Sequence, residues 1–174
     1  MKKISLLLVI PVLSGIFGCQ EDNFSLDEIN IEVLTMDNEI VKNTFEEGTD
    51  VVLALKIKNQ SSKTFEWSYD YECELSRQQD FMLVKKEVQT EDPNITSVSV
   101  GIPYQFPLNC PTVGLPPRIT ISPGEETIVM AYAWSSNPDN TVLQTGQYFS
   151  EFTITIEVES HQKSWNLKTD FIIE

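Results

Sequence analysis

Residues 152–158 read Phe-Thr-Ile-Thr-Ile-Glu-Val, and this stretch decides the fold class. Apolar and polar side chains alternate strictly, so an extended chain has one apolar face and one polar face. The same period of two recurs in both directions along the chain, at 51–58, 64–73, 127–134 and 165–173. Threonine, valine, isoleucine and aromatic residues dominate these stretches, as is typical of half-buried strands.

Shorter strand candidates lie at 29–33, 81–88, 97–100 and 118–121. Turn signals separate the strands, and Pro123-Gly124 fits a type II turn. About 7–9 short strands, each with one apolar face, pack best as two antiparallel sheets. The sequence therefore predicts an all-β, immunoglobulin-like antiparallel β-sandwich of about 7–9 strands that follows a cleaved signal peptide.

The N-terminal segment predicts export. Lys2 and Lys3 precede an apolar run at 4–17, which is the composition of a secretory signal. As a helix this run would be about 21 Å long, whereas a bilayer core is about 30 Å thick. A permanent membrane span is the weaker interpretation, and residues 1–18 are assigned to a signal peptide.

The segment Ile16-Phe17-Gly18-Cys19 resembles the lipobox of bacterial lipoproteins. The resemblance implies that signal peptidase II cuts before Cys19, that the thiol receives a diacylglycerol, and that the new amine is acylated. Several acyl chains on one residue would anchor the protein stably, because a single chain binds a bilayer only marginally. The predicted location is the outer membrane, with the membrane as a partner through the lipid at Cys19.

Residues 19–27 form an acidic tether in this interpretation, and residues 28–174 form the sandwich. The segment 20–23 resembles the acidic export signal that some Gram-negative bacteria place after the lipidated cysteine. That resemblance implies display on the cell surface. A periplasm-facing anchor is the alternative.

Composition excludes one class of partner. The chain has 174 residues, which suits one domain, and 26 acidic against 12 basic side chains give a formal net charge of −14. Nucleic acid is excluded as a partner because phosphate binding requires a basic surface. The remaining expectation is an unknown envelope protein or glycan partner.

The three cysteines divide into one lipidation site and one pair. Cys19 is assigned to the lipid, which leaves Cys73 and Cys110 for a disulfide in an oxidising compartment. The alternation in 64–73 places Cys73 on the aromatic, inward face of its strand. A bridge between the two would stabilise the fold by roughly 4 kcal/mol in the chain-entropy model. Two separate thiols are the alternative.

The segment at about 90–117 interrupts the strand pattern. It carries six of the nine prolines, and such density disfavours central strands. We expect a long loop or small insertion that Cys110 attaches to the sheet carrying Cys73.

A wider resemblance covers 45–158. The run 45–51, Phe-Glu-Glu-Gly-Thr-Asp-Val, and the alternation after it look like the opening strands of the intracellular proteinase inhibitor (BsuPI-like) family, and 121–134 with 146–148 look like its later strands. The resemblance implies an immunoglobulin-like fold. It also implies one alternative function, a proteinase-inhibitor-like domain that presents a loop.

No group of residues has the pattern of a catalytic site. The single histidine, His161, falls at an expected hairpin tip, and no Gly-x-Ser-x-Gly sequence is present. One histidine and two cysteines also lack metal-ligand spacing. Trp67, Trp134 and Trp165 lie on apolar strand faces, which predicts core packing rather than sugar stacking.

The sequence therefore predicts no catalytic residue, no cofactor-binding residue and no metal ligand, and the protein is not expected to be an enzyme. The expected function is that of a lipid-anchored cell-envelope protein acting as a non-catalytic binding or accessory module. Besides the inhibitor, a structural subunit of a surface assembly that uses strand addition at a sheet edge is the alternative.

Overall fold

The computed structural model describes residues 25–68, 73–78, 80–91, 96–105, 118–158 and 161–174. Within these residues the chain forms two 3-10 helices, Leu26–Glu28 and Trp134–Ser136. The described part also forms eleven strands: β1 (Ile29–Asp37), β2 (Ile40–Val41), β3 (Thr44–Phe45), β4 (Val52–Asn59), β5 (Phe65–Ser68), β6 (Val84–Glu87), β7 (Ser97–Gly101), β8 (Arg118–Ile121), β9 (Glu126–Ala133), β10 (Gly146–Val158) and β11 (His161–Ile173).

The strands of the described residues form three sheets. A four-stranded sheet has the order β2-β1-β4-β9, a five-stranded sheet has the order β3-β11-β10-β6-β7, and β5 pairs with β8. The predicted all-β, sandwich-like fold is confirmed. The exception to an antiparallel plan is β3, which runs parallel to β11.

The core lies between the two larger sheets. Alternate side chains of β4, among them Leu53, Leu55 and Ile57, are fully buried, and so is Ile154 of β10. Each fully buried side chain of this size contributes roughly 1.5–3 kcal/mol of transfer free energy. The period of two in the sequence therefore reports which face of each strand meets the opposite sheet.

The predicted inward face is wrong for part of strand β9. The sequence places Ile128 and Met130 on one apolar face, but Ile128 is 39% exposed whereas Val129 is buried. The ladder with β4 pairs Leu55 with Met130 and Lys56 with Ile128, so the register shifts between these pairs. Two residues of β9 oppose one of β4 in this β-bulge, which turns Ile128 outward.

The strand predicted at 64–73 is shorter than expected. Its first part is confirmed as β5, where Phe65 and Trp67 are buried. Within the described residues the strand covers Phe65–Ser68, the predicted positions 69–72 lie outside those residues, and residues 73–75 are helical. Cys73 is therefore buried on a helical turn rather than on the aromatic face of a strand.

The proline-rich segment contributes to the fold more than a loop would. Its residues 97–101 form β7, the edge strand of the five-stranded sheet. An edge strand tolerates prolines in the residues beside it because one side of its backbone needs no partner. Tyr104 is buried, with its ring 6.0 Å from that of Phe81 and 5.4 Å from that of Tyr132. Residues 106–117 lie outside the described part.

All three tryptophans are core residues, as predicted. Trp165 of β11 also joins the two larger sheets, because its Nε1 donates to the carbonyl oxygen of Ile29 at 3.2 Å. Trp134 begins the second 3-10 helix, and its Nε1 donates to the carbonyl oxygen of Thr141 at 2.7 Å. The indole groups thus fix the neighbouring backbone as well as filling the core.

Replacing Ser150 with alanine is expected to raise the free energy of unfolding by about 1 kcal/mol. Ser150 lies on the inner face of β10 with no exposed surface, and its hydroxyl has no hydrogen-bond partner among the described residues. Removing a desolvated, unpaired hydroxyl removes its burial cost. Urea denaturation of both proteins measures the change, and exposed Ser99→Ala is the control. A loss of stability would show that the hydroxyl is satisfied.

Candidate functional site

The residues predicted for lipidation and bridging fall mostly outside the described part of the chain. Cys19 and Cys110 lie outside it, so the structure places neither. Cys73 lies on the helical turn at 73–75 and is buried. His161 is exposed at the start of β11.

The described residues hold neither a metal cluster nor a membrane helix. Within them, no three His, Cys, Asp or Glu side chains converge as metal ligands would. Among these same residues, no helix has the length and apolarity to cross a bilayer. The remaining candidate for a functional site is the exposed surface of the described residues.

One end of the sandwich is where the described chain begins, and we call it the entry end. It comprises the 3-10 helix Leu26–Glu28, the turns at 60–63 and 122–125, and the last and first residues of β10 and β11. Backbone bonds join these parts: Gln60 N donates to Glu28 O at 2.8 Å, and Asn59 N donates to Glu125 O at 2.9 Å. The entry end is thus held by main-chain contacts.

The opposite end is the far end. It comprises the turn Asn38–Glu39, the start of β4, the 3-10 helix Trp134–Ser136 and the loop at 137–145. Asp50 holds that helix in place, since its carboxylate accepts from the N–H of Ser135 at 2.9 Å and from its hydroxyl at 2.6 Å. Both residues of the β1–β2 turn have positive φ, 46° for Asn38 and 72° for Glu39, the backbone of a type I′ hairpin.

The most exposed large apolar side chains of the described residues lie at the far end. Ile40 is 68% exposed, and Val41 and Val142 are each 58% exposed. Ile40 and Val41 form β2, and Val142 lies in the loop whose Thr141 carbonyl is bound by Trp134. Ile40 and Val41 are adjacent on an edge strand, and exposed aliphatic surface of this kind marks interaction sites in soluble domains.

A cleft of about 590 Å³ lies at the far end, and the β1–β2 turn Asn38–Glu39 forms part of its lining. Met36, Val52 and Ala133 form part of its apolar wall, and Asp37, Glu39 and Asp50 line it with carboxylates. Two of these carboxylates have partners, because Asp37 accepts from Lys42 Nζ at 2.6 Å and Asp50 holds Ser135. The cleft therefore combines an apolar wall with an acidic rim.

A second cleft of about 480 Å³ lies between the edges of the two larger sheets. Val41 and Lys42 line one side, and Lys168 and Asp170 line the other. The ammonium of Lys168 lies 2.8 Å from the carboxylate of Asp170, and this hydrogen bond raises the pKa of Lys168. The far end therefore carries both the first of these clefts and the most exposed large apolar side chains of the described residues.

No protein-family model, curated protein or solved structure matches the chain. The class that the structure defines is an all-β, sandwich-like domain.

The exposed side chains of Ile40 and Val41 on β2 were not identified from the sequence. The pair Ile40-Val41 directly follows Asn38-Glu39, a polar pair suited to a tight turn, and this spacing was the available signal. Alternation could not show the exposure, because it depends on β2 lying at a sheet edge.

Proposed function

We propose that the protein is a lipid-anchored, non-catalytic binding module of the cell envelope, held in the outer membrane through Cys19 and displayed on the cell surface. The lipobox-like Ile16–Cys19 and the basic Lys2 and Lys3 support the anchor. The exposed aliphatic side chains Ile40 and Val41 of the edge strand β2 support binding, and they are the observation that carries this function.

The chemistry of the far end favours an envelope protein as the partner over a glycan. The strongly exposed apolar side chains there are aliphatic, whereas sugar recognition relies on exposed aromatic faces to stack against. Apolar side chains beside a cleft with a polar rim have the composition of a protein–protein contact surface.

Replacing Cys19 with alanine is expected to move the protein from the membrane fraction to the soluble fraction, because the acyl chains would be lost. Fractionation of cells that express each form measures this, with Gln20→Ala as the neighbouring control. A Cys19→Ala protein that stays in the membrane contradicts the anchor, as does a bare cysteine at the native N-terminus by mass spectrometry. Protease treatment of intact cells then distinguishes surface display from a periplasm-facing anchor.

The binding function is tested with a photo-crosslinking residue at position 40 or position 142 in intact cells. The expected result is the same discrete protein adduct from both positions. Thr153, exposed on the outer face of β10, is the control position. Adducts of equal strength from all three positions would contradict a binding surface at the far end.

The proposal includes a disulfide between Cys73 and Cys110. The burial of Cys73 supports it. Peptide mapping without reduction is expected to give one linked peptide that contains both cysteines. Free reaction of both thiols with an alkylating reagent in denatured, unreduced protein would contradict the pairing.

One observation favours the structural-subunit alternative. The edge strand β7 has the sequence Ser-Val-Ser-Val-Gly, without the charge or proline that normally protects an edge, and Val98 is 45% exposed. If β7 accepts another strand, the soluble Cys19→Ala protein should assemble as its concentration rises. Val98→Lys should abolish that assembly, whereas Ile172→Lys should not. A monomer at all concentrations by light scattering would contradict this alternative.

A further inference from the structure

We infer that the entry end of the sandwich faces the bilayer and that the far end points away from it. The surface that meets the lipid headgroups then consists of the 3-10 helix Leu26–Glu28, the turns at 60–63 and 122–125, and the β10–β11 end. This inference rests on the proposed lipid at Cys19 and adds to it the orientation of the domain.

The tether joins the domain at a fixed point. Leu26 is buried, and its carbonyl oxygen accepts from Lys163 Nζ at 3.1 Å. The same ammonium lies 3.3 Å from the carboxylate of Asp27. Three residues later, Ile29 O accepts from Trp165. The chain therefore leaves the domain at one defined place beside the start of β11.

The tether is short in comparison with the length of the domain. Seven residue steps separate Cys19 from Leu26, and a fully extended chain covers at most about 3.6 Å per step, or about 25 Å in all. Strand β1 has nine residues, so its eight steps from the entry end to the far end cover about 26 Å at 3.3 Å per step. Even a fully extended tether is shorter than β1 together with the 3-10 helix before it, so the far end cannot rest on the bilayer while Leu26 lies uppermost.

The two ends of the sandwich expose side chains of different chemistry. Ser62, Lys63 and Gln162 of the entry end are polar and exposed, which suits the hydrated headgroup region. The far end instead exposes Ile40, Val41 and Val142. In the inferred orientation the length of β1 holds these aliphatic side chains about 26 Å from the headgroups, where a partner protein can reach them.

The test uses the full lipidated protein in vesicles of phosphatidylcholine that carry a spin-label quencher on the headgroup. Four variants, each with one added cysteine for a fluorophore, report on exposed positions: Ser62→Cys and Gln162→Cys at the entry end, and Glu39→Cys and Val142→Cys at the far end. We expect several-fold stronger quenching at both entry-end positions. The parent protein, treated with the same fluorophore, corrects for labelling of its own cysteines.

Flotation of the same vesicles separates the two levels of the proposal. Protein that floats with the vesicles but is quenched equally at all four positions overturns the orientation and leaves the anchor standing. Stronger quenching at the far end has the same consequence. Protein that does not float overturns the lipid anchor, and the orientation with it.

Discussion

Replacing Asn59 with alanine is expected to lower the free energy of unfolding by about 3–4 kcal/mol. Asn59 is fully buried at the end of β4 and uses both ends of its amide. Its Nδ2 donates to the carbonyl oxygens of Lys63 at 2.7 Å and Ile121 at 2.9 Å. Its Oδ1 accepts from the N–H of Ser61 at 3.0 Å and from its hydroxyl at 2.7 Å.

The size of this effect follows from what the alanine leaves behind. The amide joins the turn after β4 to the end of β8. Its removal leaves several desolvated polar groups of that turn without a hydrogen-bond partner. Thermal denaturation is expected to show a loss of about 10 °C in Tm. Ser62→Ala, an exposed change in the same turn, should leave Tm unchanged. An Asn59→Ala protein within about 1 kcal/mol of the parent would contradict this account.

Replacing Tyr104 with alanine should cost about 3–5 kcal/mol, the range for deletion of a buried aromatic side chain. The ring fills the space between Phe81 and Tyr132 and attaches the segment after β7 to the core. Denaturant unfolding measures the loss. Ile119→Ala, a partly exposed site on β8, is the control and should cost far less. Equal losses would mean that the segment after β7 is not part of the core.

The phenol of Tyr104 makes a separate prediction at high pH. Burial raises the pKa of Tyr104 to about 12 from its ordinary value of 10.0. The folded protein keeps the phenolic proton in a range where the unfolded chain releases it. The stability that this group contributes is therefore complete below pH 10 and is lost as pH rises toward 12.

Tyr104→Phe isolates that contribution, because the lysines titrate in both proteins. At neutral pH the variant should be less stable by about 1 kcal/mol, since the hydroxyl no longer donates to Phe81 O. Between pH 10 and pH 12 the parent should lose roughly 2–3 kcal/mol relative to the variant. A constant difference between the two unfolding free energies across this range would contradict the burial of the phenol.

The strands and their buried faces were predictable from the sequence where the ladder is regular. In β10 and β11 the ladder runs through thirteen paired residues without a register shift, and the predicted inward residues Phe152, Ile154, Ile156, Trp165, Leu167, Phe171 and Ile173 are buried. In β9 the bulge opposite Lys56 breaks this rule. Nothing local in the sequence marks the bulge, because it depends on how β9 aligns with β4.

The candidate surface was less predictable than the core. Alternation identifies residues that are buried together, but the exposure of Ile40 and Val41 depends on the sheet edge where β2 lies. The strand β7 within the proline-rich segment was hard to predict for a related reason. Its prolines disfavour central strands, yet an edge strand such as β7 is compatible with them.

The parallel pairing of β3 has a practical consequence for anyone who handles this protein. Glu174 donates its N–H to Phe45 O at 2.9 Å and accepts from Glu47 N at 2.9 Å, so the end of β11 is held at the far end of the sandwich. An affinity tag or fluorescent fusion placed after Glu174 would emerge at the far end, the end that exposes Ile40 and Val41, and would obstruct a partner there. Insertion of the tag into the β10–β11 hairpin would keep it at the other end.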